Sequence, residues 1–178
     1  MLEDIKKVLI TEDQLKAKVA EISAKINRDY KDKKPFFIVI LKGAMVFAAD
    51  VFKNIDLYAE IDFMVVSSYG SGTESTGKVN IKKDVATSIE GKDVIIIEDI
   101  VDTGITLNCL VAELKKRNPA SIEICACVNK PSRRVVDVDV KYIGFDVENE
   151  FIIGYGLDYN EKYRNLPFIG VLKEEKYL

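Results

Sequence analysis

VIIIEDIVDTGIT, the stretch from Val94 to Thr106, decides how this chain is organised. Val94 to Ile97 is an unbroken β-branched run, the pattern of a strand buried on both faces of a sheet. Glu98 and Asp99 follow as two carboxylates at its end, then comes a turn built from Asp102, Thr103 and Gly104. Beyond it Leu107, Leu110, Val111 and Leu114 recur at helical spacing. Strand, tight turn and helix in this order predict an α/β unit whose ligand settles outside the carboxyl end of the strand. The helix amino terminus offers free backbone N–H groups and the positive end of the peptide dipole to a phosphate. Gly104 lets the backbone approach closely, Thr103 and Thr106 add hydroxyl donors, and the paired acids can accept hydrogen bonds from vicinal sugar hydroxyls. A plainer reading stays open from these residues alone. Asp102 or Thr103 can simply cap the helix, with Glu98 and Asp99 a solvated strand end or an acidic pocket.

Outward from this segment the chain alternates strand and helix. Thr11 and Gln14 have capping-box spacing, and Leu15, Val19, Ile22 and Ile26 make one apolar helical stripe. Phe36 to Leu41 reads as a second fully buried strand, with Gly43 opening a helical pattern through Phe47 and Val51. A strand from Ile61 to Ser68 leads into the small, flexible residues 69–77, expected to form a mobile loop, and Val79 to Val85 returns as a strand. Ser121 to Val128 is the next strand, and Tyr142 to Asp146 and Phe151 to Tyr155 add shorter apolar segments. The pattern predicts an α/β fold, an open and mainly parallel twisted sheet flanked by helices.

With 178 residues, no interdomain linker and an ordinary balance of 48% hydrophobic and 31% charged residues, a single globular domain is expected. A net charge of only -3, with Lys and Arg spread along the chain, argues against a nucleic-acid or anionic-membrane footprint. No apolar run approaches the roughly 20 residues that a membrane span needs, and Met1 to Lys7 lacks a secretory h-region, so a cytoplasmic protein is expected. Cys109, Cys125 and Cys127 read as reduced core residues, not as a metal knuckle. Histidine is absent, which removes Ser-His-Asp triads, Cys-His pairs and His-ligated zinc, and leaves acid–base work to Asp, Glu, Lys or Tyr.

The string around Asp102-Thr103-Gly104 resembles the signature of the type I phosphoribosyltransferases, and four further motifs narrow the resemblance to the hypoxanthine(-guanine) phosphoribosyltransferases. Leu41-Lys42-Gly43 resembles that family's pyrophosphate loop and Ser68-Tyr69 its lid dyad. Val128-Asn129-Lys130 resembles the base-recognition strand, and Phe151 to Asp158 followed by Arg164 the hood. The resemblance implies transfer of a phosphoribosyl group from 5-phosphoribosyl 1-pyrophosphate to a 6-oxopurine. It also implies a hood contributed by roughly residues 1–10 and 142–178, Mg²⁺ as cofactor, and a homodimer or homotetramer.

Residue by residue, the resemblance implies that Asp102, Thr103, Gly104, Ile105 and Thr106 hold the 5-phosphate, while Glu98 and Asp99 bind the ribose hydroxyls directly or through Mg²⁺. Ile105 stands where some relatives carry Lys or Leu, a change that backbone donors tolerate. Asp102 is the implied general acid or base at a purine ring nitrogen. Lys130 is implied to read the exocyclic oxygen, Phe151 to stack on the purine and the Ile152 carbonyl to accept from it. Asp158 is implied to carry a second Mg²⁺, and Lys42, Gly43 and Arg164 to hold the leaving pyrophosphate, around a Leu41–Lys42 peptide that can be cis in the family. Read without the family, Lys130 with Arg133 and Arg134 is a solvated basic turn, Phe151 is core and Arg164 is a surface charge. Two other functions compete. A nucleotide-sensing RNA-binding regulator would need a basic patch that the composition does not supply, and an enzyme for xanthine, adenine or uracil would share the sugar-phosphate loop.

Overall fold

The structure, a computed structural model, describes residues 1–68 and 79–177. Tyr69 of the expected lid dyad and the rest of the loop that follows Ser68 lie outside the described residues. The first elements are β1 (Ile5–Ile10), α1 (Glu12–Asp29), β2 (Phe36–Leu41), α2 (Met45–Lys53), β3 (Glu60–Ser68) and β4 (Val79–Lys83). Then follow β5 (Asp93–Val101), α3 (Ile105–Lys115), β6 (Ser121–Asn129), β7 (Tyr142–Asp146), β8 (Ile152–Ile153) and β9 (Ile169–Leu172).

Six strands form one sheet in the order β4-β3-β2-β5-β6-β7, parallel throughout except for the antiparallel edge strand β4. The apolar run that nominates β5 lies at its centre, and strand alternation divides the run between two cores. Ile95 and Ile97 pack with Phe37, Val39, Cys125 and the apolar faces of α1 and α2. Val94 and Ile96 pack with Phe36, Ile38, Ile124 and Leu107, Leu110 and Leu114 of α3. Helix α1 begins where the sequence places it: Thr11 Oγ1 accepts from the Gln14 N–H, and Gln14 Oε1 accepts from the Thr11 N–H, closing the capping box.

From β2 the chain moves outward to β3, and from β5 it moves the opposite way to β6, so the carboxyl ends of β2 and β5 flank the topological switch point. Pairing of β2 with β5 ends at Val39 and Ile97. Strand β5 nevertheless runs on, because Ile100 and Val101 pair with Val128 and Asn129 of a longer β6. Glu98 and Asp99 therefore sit inside the strand and not at its end, just beyond its last pairing with β2.

The segment Phe151 to Tyr155 does not join this sheet. Only Ile152 and Ile153 form a strand, which pairs with β9, and β9 pairs in turn with β1 to give a separate three-stranded antiparallel sheet. Neither β1 nor β9 shows in the sequence as a strand. Register shifts interrupt the alternation of β1, and Gly170 interrupts the short apolar run of β9. Tyr142 to Asp146 belongs to the main sheet, as its edge strand β7. The Tyr155 hydroxyl donates to Asp50 of α2 at 2.7 Å, tying the hood to the sheet layer. All three cysteines are free, and Cys125 and Cys127 are buried as expected; Cys109 is only half-buried on α3, a correction to its placement in the core. Among the described residues no helix is long and apolar enough to cross a membrane.

Candidate active site

The turn after β5 leaves little room for alternatives at its glycine. Gly104 has φ +81°, which L side chains rarely adopt, and a Cβ there would collide with the Val136 carbonyl oxygen. The neighbouring chain is drawn in tightly because the N–H groups of Val135 and Val136 both donate to the Thr103 carbonyl, at 2.9 and 3.1 Å. Gly104 is itself the N-cap of α3 and the Thr103 hydroxyl accepts weakly from the Ile105 N–H, so Asp102 is free of capping duty. The first-turn N–H groups of α3 thus open into a cleft of about 430 Å³ lined by Lys42, Gly43, Glu98, Asp99, Asp102, Thr103, Gly104 and Thr106. Ile105, the first residue of α3, is not among the residues lining this cleft; its N–H donates to Thr103 Oγ1 at 3.4 Å.

Glu98 and Asp99 line this cleft side by side. Loss of hydration, and then the charge of Asp99, push Glu98 well above the usual carboxylate range, and burial pushes Asp99 up as well. Two acids crowded in this way hold only part of their charge by themselves and gain from a cation or from hydroxyl donors. Among the described residues no group of three or more His, Cys, Asp or Glu forms a metal cage. One or two carboxylates beside a phosphate cradle instead suit a hard divalent cation that shares its coordination with substrate oxygens, so the donor set fits Mg²⁺.

Across the crevice the Leu41–Lys42 peptide is cis, and Gly43 packs directly against the Asp99 carboxylate. On its other side is the hood: Gly156, at φ +101°, has no space for a side chain because it meets the Gly43 carbonyl. Gly43 is therefore wedged between the acid pair and the hood turn. Gly43→Ala is expected to displace the Asp99 carboxylate and raise KM for the phosphorylated donor about tenfold or more, with a smaller change in KM for the acceptor, as steady-state kinetics would show. Arg164 lies in the same region. Its Nη1 donates to the Gly156 carbonyl at 2.8 Å, and its Nη2 lies 2.9 Å from Asp158 Oδ1. Its Nε is buried with no partner among the described residues.

The phosphoribosyl transferase domain family matches residues 9–160 of this chain. A hypoxanthine-guanine phosphoribosyltransferase of Streptococcus thermophilus is 53% identical over 178 residues, covering 99% of both chains. That of Bacillus subtilis is 51% identical over 177 residues, covering 99% of this chain and 98% of its own. The chain belongs to the hypoxanthine-guanine phosphoribosyltransferase family. A crystal structure of a hypoxanthine phosphoribosyltransferase from Staphylococcus aureus superposes with a TM-score of 0.97 at 49% identity, covering 100% of this chain and 97% of that one, so the type I phosphoribosyltransferase fold is established.

A second cleft of this phosphoribosyltransferase, about 550 Å³, opens from the first and shares Asp99, Ile100 and Asp102 with it. Its other walls include Lys130, Phe151, Ile152, Leu157 and Asp158. Lys130 is only 8% exposed, which excludes the solvated-turn reading; Arg133 beside it is exposed. The Lys130 ammonium donates to the Glu150 carbonyl at 2.7 Å, and burial lowers its pKa while the Asp102 charge opposes that shift. Phe151 is 37% exposed, so it is not simply core. Asp102 is half-buried between the two clefts, with Oδ1 3.2 Å from Arg133 Nε in an exposed pair of little energetic weight.

Lys42, Gly43, Asp102, Thr103, Gly104 and Thr106 meet in the first cleft, and Lys130, Phe151, Ile152 and Asp158 in the second; Ile105 lines neither. Arg164 lines neither cleft and touches the second through Asp158. Sequence reasoning missed two participants, Glu161 and Tyr177, and the side-chain contacts of Asn129 within the Val128-Asn129-Lys130 motif. Glu161 lies 3.0 Å from Lys42 Nζ and 3.5 Å from Arg164 Nη2, bridging the two cations. Asn129 accepts from Arg134 and donates to Asp146 at 2.6 Å, a chain that ties β6 to β7. Tyr177 lines the second cleft. None of these contacts follows from a local motif, since each partner is distant in sequence or carries no pattern of its own.

Proposed function

We propose that this phosphoribosyltransferase serves purine salvage, with Mg²⁺ as cofactor. It transfers the phosphoribosyl group of 5-phosphoribosyl 1-pyrophosphate to hypoxanthine, and to guanine, and forms IMP or GMP with pyrophosphate. The observation that carries the reading is the buried Lys130 ammonium, which shares one cleft with Phe151 and Asp102 while that cleft opens onto the amide-lined turn of the other. The 5-phosphate sits on the N–H groups of Thr103 to Thr106, as a phosphate at a helix amino terminus does. The ribose hydroxyls reach Glu98 and Asp99.

Those two acids, together with Asp158, would hold Mg²⁺, which when bound neutralises pyrophosphate charge. Lys42, the Gly43 backbone and Arg164 hold the leaving group, whose negative charge calls for cations and fixed donors. In the second compartment the purine stacks on Phe151, its ring N–H reaches the Ile152 carbonyl and its 6-oxygen accepts from Lys130. The bond from the anomeric carbon to pyrophosphate oxygen breaks with its electron pair leaving on oxygen, and a purine nitrogen forms the new bond to that carbon. Asp102 receives or returns the ring-nitrogen proton, so that charge balances across the step. Adenine presents an amino donor where Lys130 also donates, so it is refused. The reading includes a cytoplasmic setting and a homodimer or homotetramer, which light scattering would distinguish.

Purified protein with 5-phosphoribosyl 1-pyrophosphate and Mg²⁺ is expected to convert hypoxanthine and guanine to nucleotide and to leave adenine unchanged, as chromatography would show. Chelation of the cation is expected to stop the reaction. Product from adenine at a comparable rate would overturn the assignment of Lys130.

A further inference from the structure

We propose that Tyr177 is a positioning residue for the purine: it backs the Phe151 ring and sets the plane on which the base lies. The inference rests on the assignment of Phe151 as the stacking partner. The Phe151 and Tyr177 rings are nearly parallel, 16° apart with centroids 4.5 Å from each other, and Tyr159 meets Phe151 edge-on at 5.5 Å. Phe151 is 37% exposed, and without such neighbours an exposed ring samples several rotamers and must surrender that freedom when a ligand stacks on it. With Tyr177 stacked against it and Tyr159 packed at a right angle to it, the ring is held in place before the base arrives.

The placement of Tyr177 is itself specified. It follows a single 3₁₀ turn, Glu174–Lys176, that is fastened to the opposite side of the hood. Lys176 Nζ lies 3.0 Å from Asp4 Oδ1, and the Lys173 N–H donates to the Asp4 carbonyl at 3.0 Å. Asp4 Oδ2 in turn accepts from the Tyr163 hydroxyl at 3.0 Å. Residues from both ends of the described chain thus converge to hold one aromatic ring against another. The cleft retains about 550 Å³ with Tyr177 in place, enough volume for a purine.

Steady-state kinetics on the full-length enzyme test this. Tyr177→Leu keeps apolar cover but removes the stacked plane, and is expected to raise KM for hypoxanthine about fivefold, in line with the energy of an aromatic pair. KM for 5-phosphoribosyl 1-pyrophosphate and the thermal midpoint should stay within twofold and about two degrees respectively. Tyr177→Phe is expected to restore the wild-type KM for hypoxanthine, which a general structural role for the hydroxyl would not predict. An unchanged KM in Tyr177→Leu overturns the proposal, and a lowered one shows the ring to be a plug, which overturns it too. Phe151→Ala separates the two levels of the argument. If that variant raises KM for hypoxanthine while Tyr177→Leu does not, only the role of Tyr177 fails; if neither does, the base site at Phe151 fails with it.

Discussion

Asp102→Asn is expected to lower turnover about 10² to 10⁴-fold, the range that a positioned acid or base contributes. The substitution conserves size and leaves an oxygen that can still face Arg133, so the turn it sits on has no reason to move. What it removes is the ability to receive a proton. Asp102 lies on the boundary shared by both clefts, where the purine nitrogen and the anomeric carbon would meet, and its side chain has no capping duty that would account for its presence. KM for 5-phosphoribosyl 1-pyrophosphate should change little, because the phosphate is assigned to backbone N–H groups and the ribose to Glu98 and Asp99. Loss of kcat with nearly constant KM marks an interaction made mainly in the transition state. Unchanged kcat would remove Asp102 from proton transfer.

Lys130→Gln carries the second large effect. A hydrogen bond to a charged group contributes about 1.5–3 kcal/mol, so loss of the ammonium is expected to raise KM for hypoxanthine roughly 10- to 150-fold. The chemistry of the replacement adds a second expectation. A glutamine amide can donate to a 6-oxygen or accept from a 6-amino group, so discrimination against adenine should relax even as overall efficiency falls. Lys130 suits the discriminating role because it is buried, its position is pinned by the Glu150 carbonyl, and the Asp102 charge helps to keep it protonated. Competition assays with hypoxanthine and adenine would measure both effects; a variant that still refuses adenine to the wild-type degree would show that another group reads the 6-position.

Sequence patterns reached the sheet because they report local physics. Val94 to Ile97 and Phe36 to Leu41 are long enough, and uninterrupted enough, that burial on both faces is their natural state, and both proved central. The capping box at Thr11 and Gln14 and the stripe on α1 were legible for the same reason. The hood was not. Strand β8 has only two residues, and β1 and β9 are irregular, so none carries a period strong enough to distinguish from loop. Their pairing joins residues near 5 to residues near 172, a separation that no local pattern spans.

The difference between site residues follows the same line. Asp102 to Thr106 could be read as a phosphate cradle because loop, glycine and helix start lie within one short stretch, whose backbone conformation is set by its own residues. Lys130 and Phe151 could not be read without a family resemblance, since their apolar or basic neighbours predict the opposite burial from the one observed. By itself, then, the amino-acid order determined the central strands, the helices that flank them and the amide-lined turn, all governed by hydrogen bonds and apolar periods acting over a few residues. The folded chain alone decided that Gly43 is wedged between Asp99 and Gly156, that Lys130 is sunk beneath Glu150 and that Tyr177 lies on Phe151. Those contacts depend on how a second small sheet docks over the first, a long-range packing outcome that side-chain order encodes only jointly.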